Sequence, residues 1–165
     1  MAPKRNDSVP GTRDKGPVTG RLAGIDYGTV RIGIAITDPE QRIASPLLNY
    51  ARRGEKADAA FFRKLVADER IAGFVVGLPV HLDGRESEKS AEARKFGKWL
   101  AQTSGLRVVF FDERFTSVEA EEALLSAEMT KKERKARLDK LAAQILLTAY
   151  LEAGEATSED IRGID

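Results

Sequence analysis

Between Arg21 and Ala153 the chain alternates short apolar runs with stretches of helical periodicity. Arg21 to Tyr27, built around Leu22-Ala23-Gly24-Ile25, predicts a first strand turned at Gly28-Thr29. In Arg31 to Thr37, Ile32, Ile34 and Ile36 alternate with Gly33, Ala35 and Thr37, the period-two pattern of a half-buried strand. Asp38-Pro39-Glu40 is a turn, and Ile43 to Tyr50 predicts a third strand. Two short turns make these three strands antiparallel neighbours. The period then changes. Lys56 to Arg70 places Phe61, Phe62, Leu65 and Val66 at helical spacing, and Gly73 to Leu78 is a short apolar strand. Glu86 to Ser104 predicts a helix with Ala93, Phe96 and Leu100 on one face and Gly105 as its C-terminal cap. Leu106 to Asp112 is apolar without interruption and so predicts a strand buried on both faces. Two helices follow, Ser117 to Ala127 and Lys131 to Ala153.

Three antiparallel strands followed by helix–strand–helix–strand units predict an α/β fold, a mixed sheet with helices on both faces. That order of elements is the one found in ribonuclease-H-like folds. At 165 residues the chain suits one domain with a real core. Residues 1–20, rich in Pro, Gly and charge, read as a disordered basic arm, and residues 154–165 as an acidic tail. No cysteine is present, which excludes disulfides, thiolate metal sites and thiol nucleophiles. No apolar run is long enough to span a membrane, and the Met1-Ala2-Pro3-Lys4-Arg5 start lacks an apolar signal core, so a cytoplasmic location is expected.

A net charge of +1 does not announce a nucleic-acid binder, but the charge is uneven. Glu128 to Lys140 holds six basic and three acidic side chains and leads into Asp139. Most such runs are solvated helix faces; here the position also allows phosphate contact.

Three carboxylates stand where burial makes them costly. Asp26 closes the first strand, Glu113 follows Val108-Val109-Phe110-Phe111 with Asp112 between, and Asp139 sits at the start of Leu141 to Leu151, a stretch polar only at Gln144 and Thr148. Carboxylates in such places need a partner or a metal. Asp139 has Ala142, Ala143, Leu146 and Tyr150 at i+3, i+4, i+7 and i+11, so it continues an apolar stripe. The small residues Ala142 and Ala143 would let this helix approach the sheet carrying Asp26. Asp112 and Glu113 point to opposite faces of an extended strand, so only one of them shares a cleft with Asp26. Three converging carboxylates make a hard-cation site, and hence a metal-dependent nuclease.

Other residues carry weaker signals. Gly28 permits positive φ or a close approach of backbone to phosphate. Asp26-Tyr27-Gly28-Thr29 also fits the first phosphate loop of an actin- or sugar-kinase-like ATPase, or an Asp satisfying turn amides. Arg114 can pair with a neighbouring acid or hold a phosphate. Thr116 and Glu119 fit a capping box. His81, the sole histidine, sits in the loop after Gly77-Leu78-Pro79 and reads as incidental, while Tyr27 is placed to stack on a base beside Asp26.

Taken in series, four segments resemble the bacterial YqgF family, pre-16S rRNA nucleases also described as Holliday-junction-resolvase-like proteins. They are Gly24-Ile25-Asp26-Tyr27-Gly28 with Arg31-Ile32-Gly33; Gly77-Leu78-Pro79 with Asp83-Gly84; Asp112-Glu113-Arg114-Phe115-Thr116-Ser117; and Leu138-Asp139-Lys140-Leu141-Ala142-Ala143. The resemblance spans about residues 21–153. It implies a ribonuclease-H-like fold with an acidic triad, here Asp26, Glu113 and Asp139, which selects Glu113 over Asp112. The chain departs from the family's pattern at His81, where an Asn is common, and in its long N-terminal arm.

The expected reaction is phosphodiester hydrolysis by metal-activated water, the triad holding one or two Mg²⁺ or Mn²⁺ ions. Arg31, Arg114, Lys131, Lys132, Arg134 and Arg137 are the candidate phosphate contacts. The expected partner is nucleic acid, either precursor rRNA or branched DNA, and a monomer and a homodimer both fit. An ATPase would need a second domain for which 165 residues leave no room. A binding or ribosome-assembly factor would not need three clustered acids facing a polyanion.

Overall fold

The apolar runs become strands because residues on both sides of each have somewhere to go. The structure, a computed structural model, describes residues 18–79, 87–113, 128–153 and 158–160, with the backbone alone at 135–136, 138–140 and 158–160. In chain order the elements are β1 (Arg21–Asp26), β2 (Arg31–Thr37), β3 (Ala44–Ala51), α1 (Glu55–Glu69), β4 (Ile71–Leu78), α2 (Glu88–Ser104), β5 (Arg107–Asp112), α3 (Lys131–Ala153) and β6 (Ser158–Asp160). The strands form one sheet in the order β3-β2-β1-β4-β5-β6. β1–β2 and β2–β3 pair antiparallel, β1–β4 and β4–β5 parallel, and β5–β6 antiparallel.

Successive strand residues feed two separate cores. Ala23 and Ile25 of β1, Phe74 and Val76 of β4, and Val108 and Phe110 of β5 pack with Phe62 and Leu65 of α1 and with Phe96 and Leu100 of α2. On the other face Leu22, Val75, Val109 and Phe111 pack with Ala143, Leu146, Leu147 and Tyr150 of α3. Each large side chain so buried contributes roughly 1.5–3 kcal/mol. Helices therefore cover both faces, as the order of elements predicts.

Helix ends follow local chemistry. Gly105 caps α2 in the left-handed region at φ 76, as expected, while Arg70 takes the same conformation after α1 at φ 55. The α2 start is a capping box between Ser87 and Ser90. At α3 the Thr130 hydroxyl accepts from the Glu133 amide, and the Glu133 carboxylate accepts from the Thr130 amide, each at 3.1 Å.

Four features differ from the sequence reading. β2 is covered on both faces rather than half-buried, because Ala35 and Thr37 are as buried as Ile32 and Ile34. Its small residues fit under a closely packed helix, so the alternation marks side-chain size and not exposure. Ile43 lies outside β3 and is exposed. Residues 18–20, assigned to the arm, are tied down: the Gln41 side chain donates to the carbonyls of Val18 and Gly20 at 2.6 and 2.8 Å. Within the acidic tail, Ser158–Asp160 pairs along Val109–Phe111 as β6. The helix expected at Ser117 to Ala127 lies outside the described residues. Among the described residues no helix is long and apolar enough to cross a membrane.

Candidate active site

The three parallel strands β1, β4 and β5 end side by side, at Asp26, Leu78 and Asp112. The crevice outside such carboxyl ends is where open α/β sheets bind ligands. Asp26 is the last residue of β1 and stands opposite Gly33. Because Ile25 enters the α1/α2 core, Asp26 is on the face under α3. A Cβ placed on Gly33 would lie 3.8 Å from Asp26 Oδ2 and 3.7 Å from the Ala143 Cβ. Glu113, one residue past β5, reaches the same face: a Cβ on Gly77 would lie 2.6 Å from its Oε2 and 3.1 Å from a Leu146 methyl. Glycine at 77 is what leaves room for this carboxylate.

Asp26 and Glu113 thus come together under α3, beside Ala143 and Leu146. Asp139 precedes those two residues by four and seven positions on the same helix, which puts it on the same stripe of α3 toward the open end of the sheet. α3 sits close because Gly24 has no side chain; a Cβ there would lie 3.0 Å from the Leu147 Cβ and 3.2 Å from the Ala143 carbonyl oxygen. Of the two alanines expected to permit this approach, Ala143 is buried against the sheet and Ala142 only half-buried.

Asp26 and Glu113 line a cavity of about 410 Å³ together with Arg31, Gly77, Lys89 and Glu92. Burial, and then the negative charge of Asp26, push the Glu113 carboxyl from an ordinary 4.5 up to about 7, against the opposing pull of Lys89. Two acids that resist ionising together are a hard-oxygen donor pair suited to a divalent cation, whose charge would relieve the repulsion. The two described carboxylates therefore fit a hard divalent cation, and among the described residues no third acid joins them in a metal-holding group.

Gly28 acts differently from expectation. Its φ is not positive; a Cβ there would collide with the Arg31 carbonyl, so glycine is needed to close the β1–β2 turn on itself, and Gly28 also lines the cavity. Tyr27 is not a loose stacking ring. It packs on Phe96 with ring centroids 4.9 Å apart, and its hydroxyl accepts from Arg52 Nη1 at 3.0 Å. Arg52 is fixed in turn by the fully buried Asp58, which accepts from Arg52 Nε at 3.1 Å, the Tyr50 hydroxyl at 2.7 Å and the Arg53 amide at 3.0 Å. Burial opposes ionisation of Asp58, but these three donors prevail and hold its carboxyl below the usual range. The network anchors the residue that follows Asp26.

Among the described phosphate-contact candidates only Arg31 lines the cavity. Lys131, Lys132 and Arg137 are exposed and Arg134 half-buried on the first two turns of α3, and Arg114 and His81 lie outside the described residues. Lys89, at the start of α2, does line the cavity and was not singled out by the sequence, where it reads as one more cation on an amphipathic helix.

A family model described as RuvX, Holliday junction resolvase, matches residues 20–153. A Rhodopirellula baltica protein named "Putative pre-16S rRNA nuclease" is 53% identical over 137 residues, covering 83% of this chain and 79% of that one. A Koribacter versatilis protein of the same name is 39% identical over 153 residues, covering 93% and 95%. Among solved structures, T. thermophilus RuvC in complex with Holliday junction substrate is similar at a TM-score of 0.51 and 14% identity, covering 86% of this chain and 99% of that one. At that identity the likeness concerns the fold, and it agrees with the ribonuclease-H-like expectation.

Proposed function

This chain belongs to the RuvX family, the YqgF family its four motifs resemble, and from that premise we propose that it is a metal-dependent nuclease acting on the 5′ end of precursor 16S rRNA in the cytoplasm. The observation that carries the reading is the meeting of Asp26 and Glu113 in one cavity beneath the helix that bears Asp139. The substrate follows the names of the curated relatives. Branched DNA is the second reading, favoured by the description of the family model.

In this reading Asp26, Glu113 and Asp139 supply carboxylate oxygens to one or two Mg²⁺ or Mn²⁺ ions. The metal, when bound, lowers the pKa of the attacking water and stabilises the leaving oxygen. Arg31 and Lys89, on the wall of the same cavity, draw the phosphodiester in and balance its charge. Arg114, Lys131, Lys132, Arg134 and Arg137 extend the contact to flanking phosphates, so affinity falls steeply with salt.

The test is cleavage of end-labelled precursor rRNA and of a synthetic four-way DNA junction, with and without Mg²⁺ or Mn²⁺, by wild type and Asp26→Asn. Metal-dependent cutting of the RNA that disappears in the variant is expected. Cutting of the junction alone would move the substrate to branched DNA. Equal cutting by both proteins would overturn the assignment of the site.

A further inference from the structure

The cavity at Asp26 and Glu113 does not end at the carboxylates. Helix α2 starts beside them, and its residues Lys89, Glu92, Lys95, Trp99 and Thr103 recur every three or four positions, so they form one stripe down the helix. From Lys89 to Thr103 this stripe is about 21 Å long at ~1.5 Å per residue. Three concavities lie end to end along it. The first, about 410 Å³, is the candidate active site. The second, about 310 Å³, is bounded by Arg52, Lys95 and Trp99 and shares Tyr27 and Glu92 with the first. The third, about 410 Å³, is bounded by Lys56, Arg63 and Thr103 and shares Glu55 and Trp99 with the second. Shared walls make them one groove, with the start of α1 as its opposite bank.

The chemistry of this groove is that of a strand-binding track. Beyond the first cavity four cations, Arg52, Lys56, Arg63 and Lys95, face the carboxylates of Glu55 and Glu92, and Asp58 pairs with Arg52, which leaves an excess of one positive charge. Lys56 and Lys95 are exposed and make no ion pair among the described residues. The Arg52 guanidinium is held in place by Tyr27 and by Asp58, which offsets its charge, so it forms a fixed polar wall of the groove and the net positive charge comes from the lysines and Arg63. Trp99 is half-buried, its ring braced by Phe96 at 5.4 Å and Phe62 at 6.2 Å, and it lines both outer concavities. A tryptophan held from below in a basic groove is a rigid platform for an unpaired base.

We propose that this groove carries the single-stranded RNA flank of the substrate away from the active site, with Trp99 stacking on a base and Lys56, Arg63 and Lys95 meeting backbone phosphates. The proposal rests on the nuclease reading and deepens it, since it assigns an unpaired segment on one side of the cleaved bond. Bases held in a duplex would offer Trp99 no free face.

Trp99 is the sole tryptophan, so its emission reports on this groove alone. The experiment titrates full-length Asp26→Asn protein, in Mg²⁺, with a ~12-nucleotide oligouridylate and with an RNA duplex of the same length. Tryptophan emission and the anisotropy of end-labelled RNA are read together. Quenching by the single strand is expected, together with at least a tenfold weaker Kd in the exposed-site variant Lys56→Glu/Arg63→Glu. An affinity unchanged in that variant with emission undisturbed, or a duplex bound as tightly as the single strand, would overturn the proposal. Because binding is read without cleavage, the two readings fail separately. Wild-type cutting without quenching removes the groove and spares the nuclease; quenching without any wild-type cutting does the reverse.

Discussion

The layer formed by α1 and α2 packs mainly on rings, whereas α3, beside its contacts with Leu22, Val75, Val109 and Phe111, lies close over glycine and alanine. Phe62, Phe74, Phe96 and Phe110 fill the first interface, with Tyr50 stacked on Phe61 at 3.9 Å. Gly24, Gly33, Ala35 and Gly77 floor the second, and they let the backbone of α3 come within van der Waals reach of β1. Rings supply burial and keep their helices at a distance. Glycines bury little, but they bring a helix close over the strand end that carries Asp26. The ring face thus carries the bulkier core, and the glycine face brings Asp26 and Glu113 under α3.

This comparison can be broken most forcefully from the ring side. Phe62→Ala, at a fully buried position, is expected to cost about 3–5 kcal/mol in urea unfolding. Cleavage per folded molecule should hardly change; a proportionate loss of turnover would mean that the two faces are coupled. On the other face Gly77→Ala should cost less stability, about 1–3 kcal/mol. Its Cβ would press on Glu113 Oε2 and Leu146, so cleavage should fall by about 10²-fold, the scale of a displaced catalytic group. Near-normal turnover in Gly77→Ala would show that Glu113 is not the group that matters.

The smallest expected effect is on pH dependence, because the two faces hold carboxylates of opposite behaviour. Glu113 has its proton affinity raised by folding, so with chelator present stability is greatest below pH 4.5 and declines as pH rises to about 7. Solvent screening reduces this to about 1–2 kcal/mol. Asp58, under the ring layer, has its proton affinity lowered, so its contribution is complete above the ordinary value of 3.8 and disappears as pH falls through its folded value. Urea midpoints at pH 5 and pH 8 should therefore drop in wild type and drop less in Glu113→Gln. Parallel drops in both proteins would contradict the assignment.

The sequence made the strands and α3 legible because their apolar runs are long and their turns carry Gly or Pro. Asp26, Glu113 and Asp139 stood out for the same reason, as charges interrupting such runs. The close-packed face was harder to read. Gly24, Gly33 and Gly77 look like neutral fillers until a helix is laid across them, and nothing local in Ile32 to Thr37 says that Ala35 is buried. Lys89 was overlooked because a cation on an amphipathic helix has many possible surroundings, and only the meeting of α2 with the ends of β1 and β5 gives it one. The Thr130/Glu133 box at the head of α3 was available in the sequence as a Ser/Thr-x-x-Glu pattern. The brief β6, Ser158-Glu159-Asp160, has no apolar signal at all.

The placement of α3 over β1, β2 and β3 also has a consequence in time. Those strands are the first made, and their cover begins at Lys131, 94 residues after the last residue of β2. At ~5–20 residues per second a ribosome needs roughly 5 to 20 s to supply it. Throughout that interval the glycine-floored face of the nascent sheet has no helix to lie against, and Asp139 does not yet exist. A half-made chain is thus an open client for chaperones until α3 emerges and covers that face.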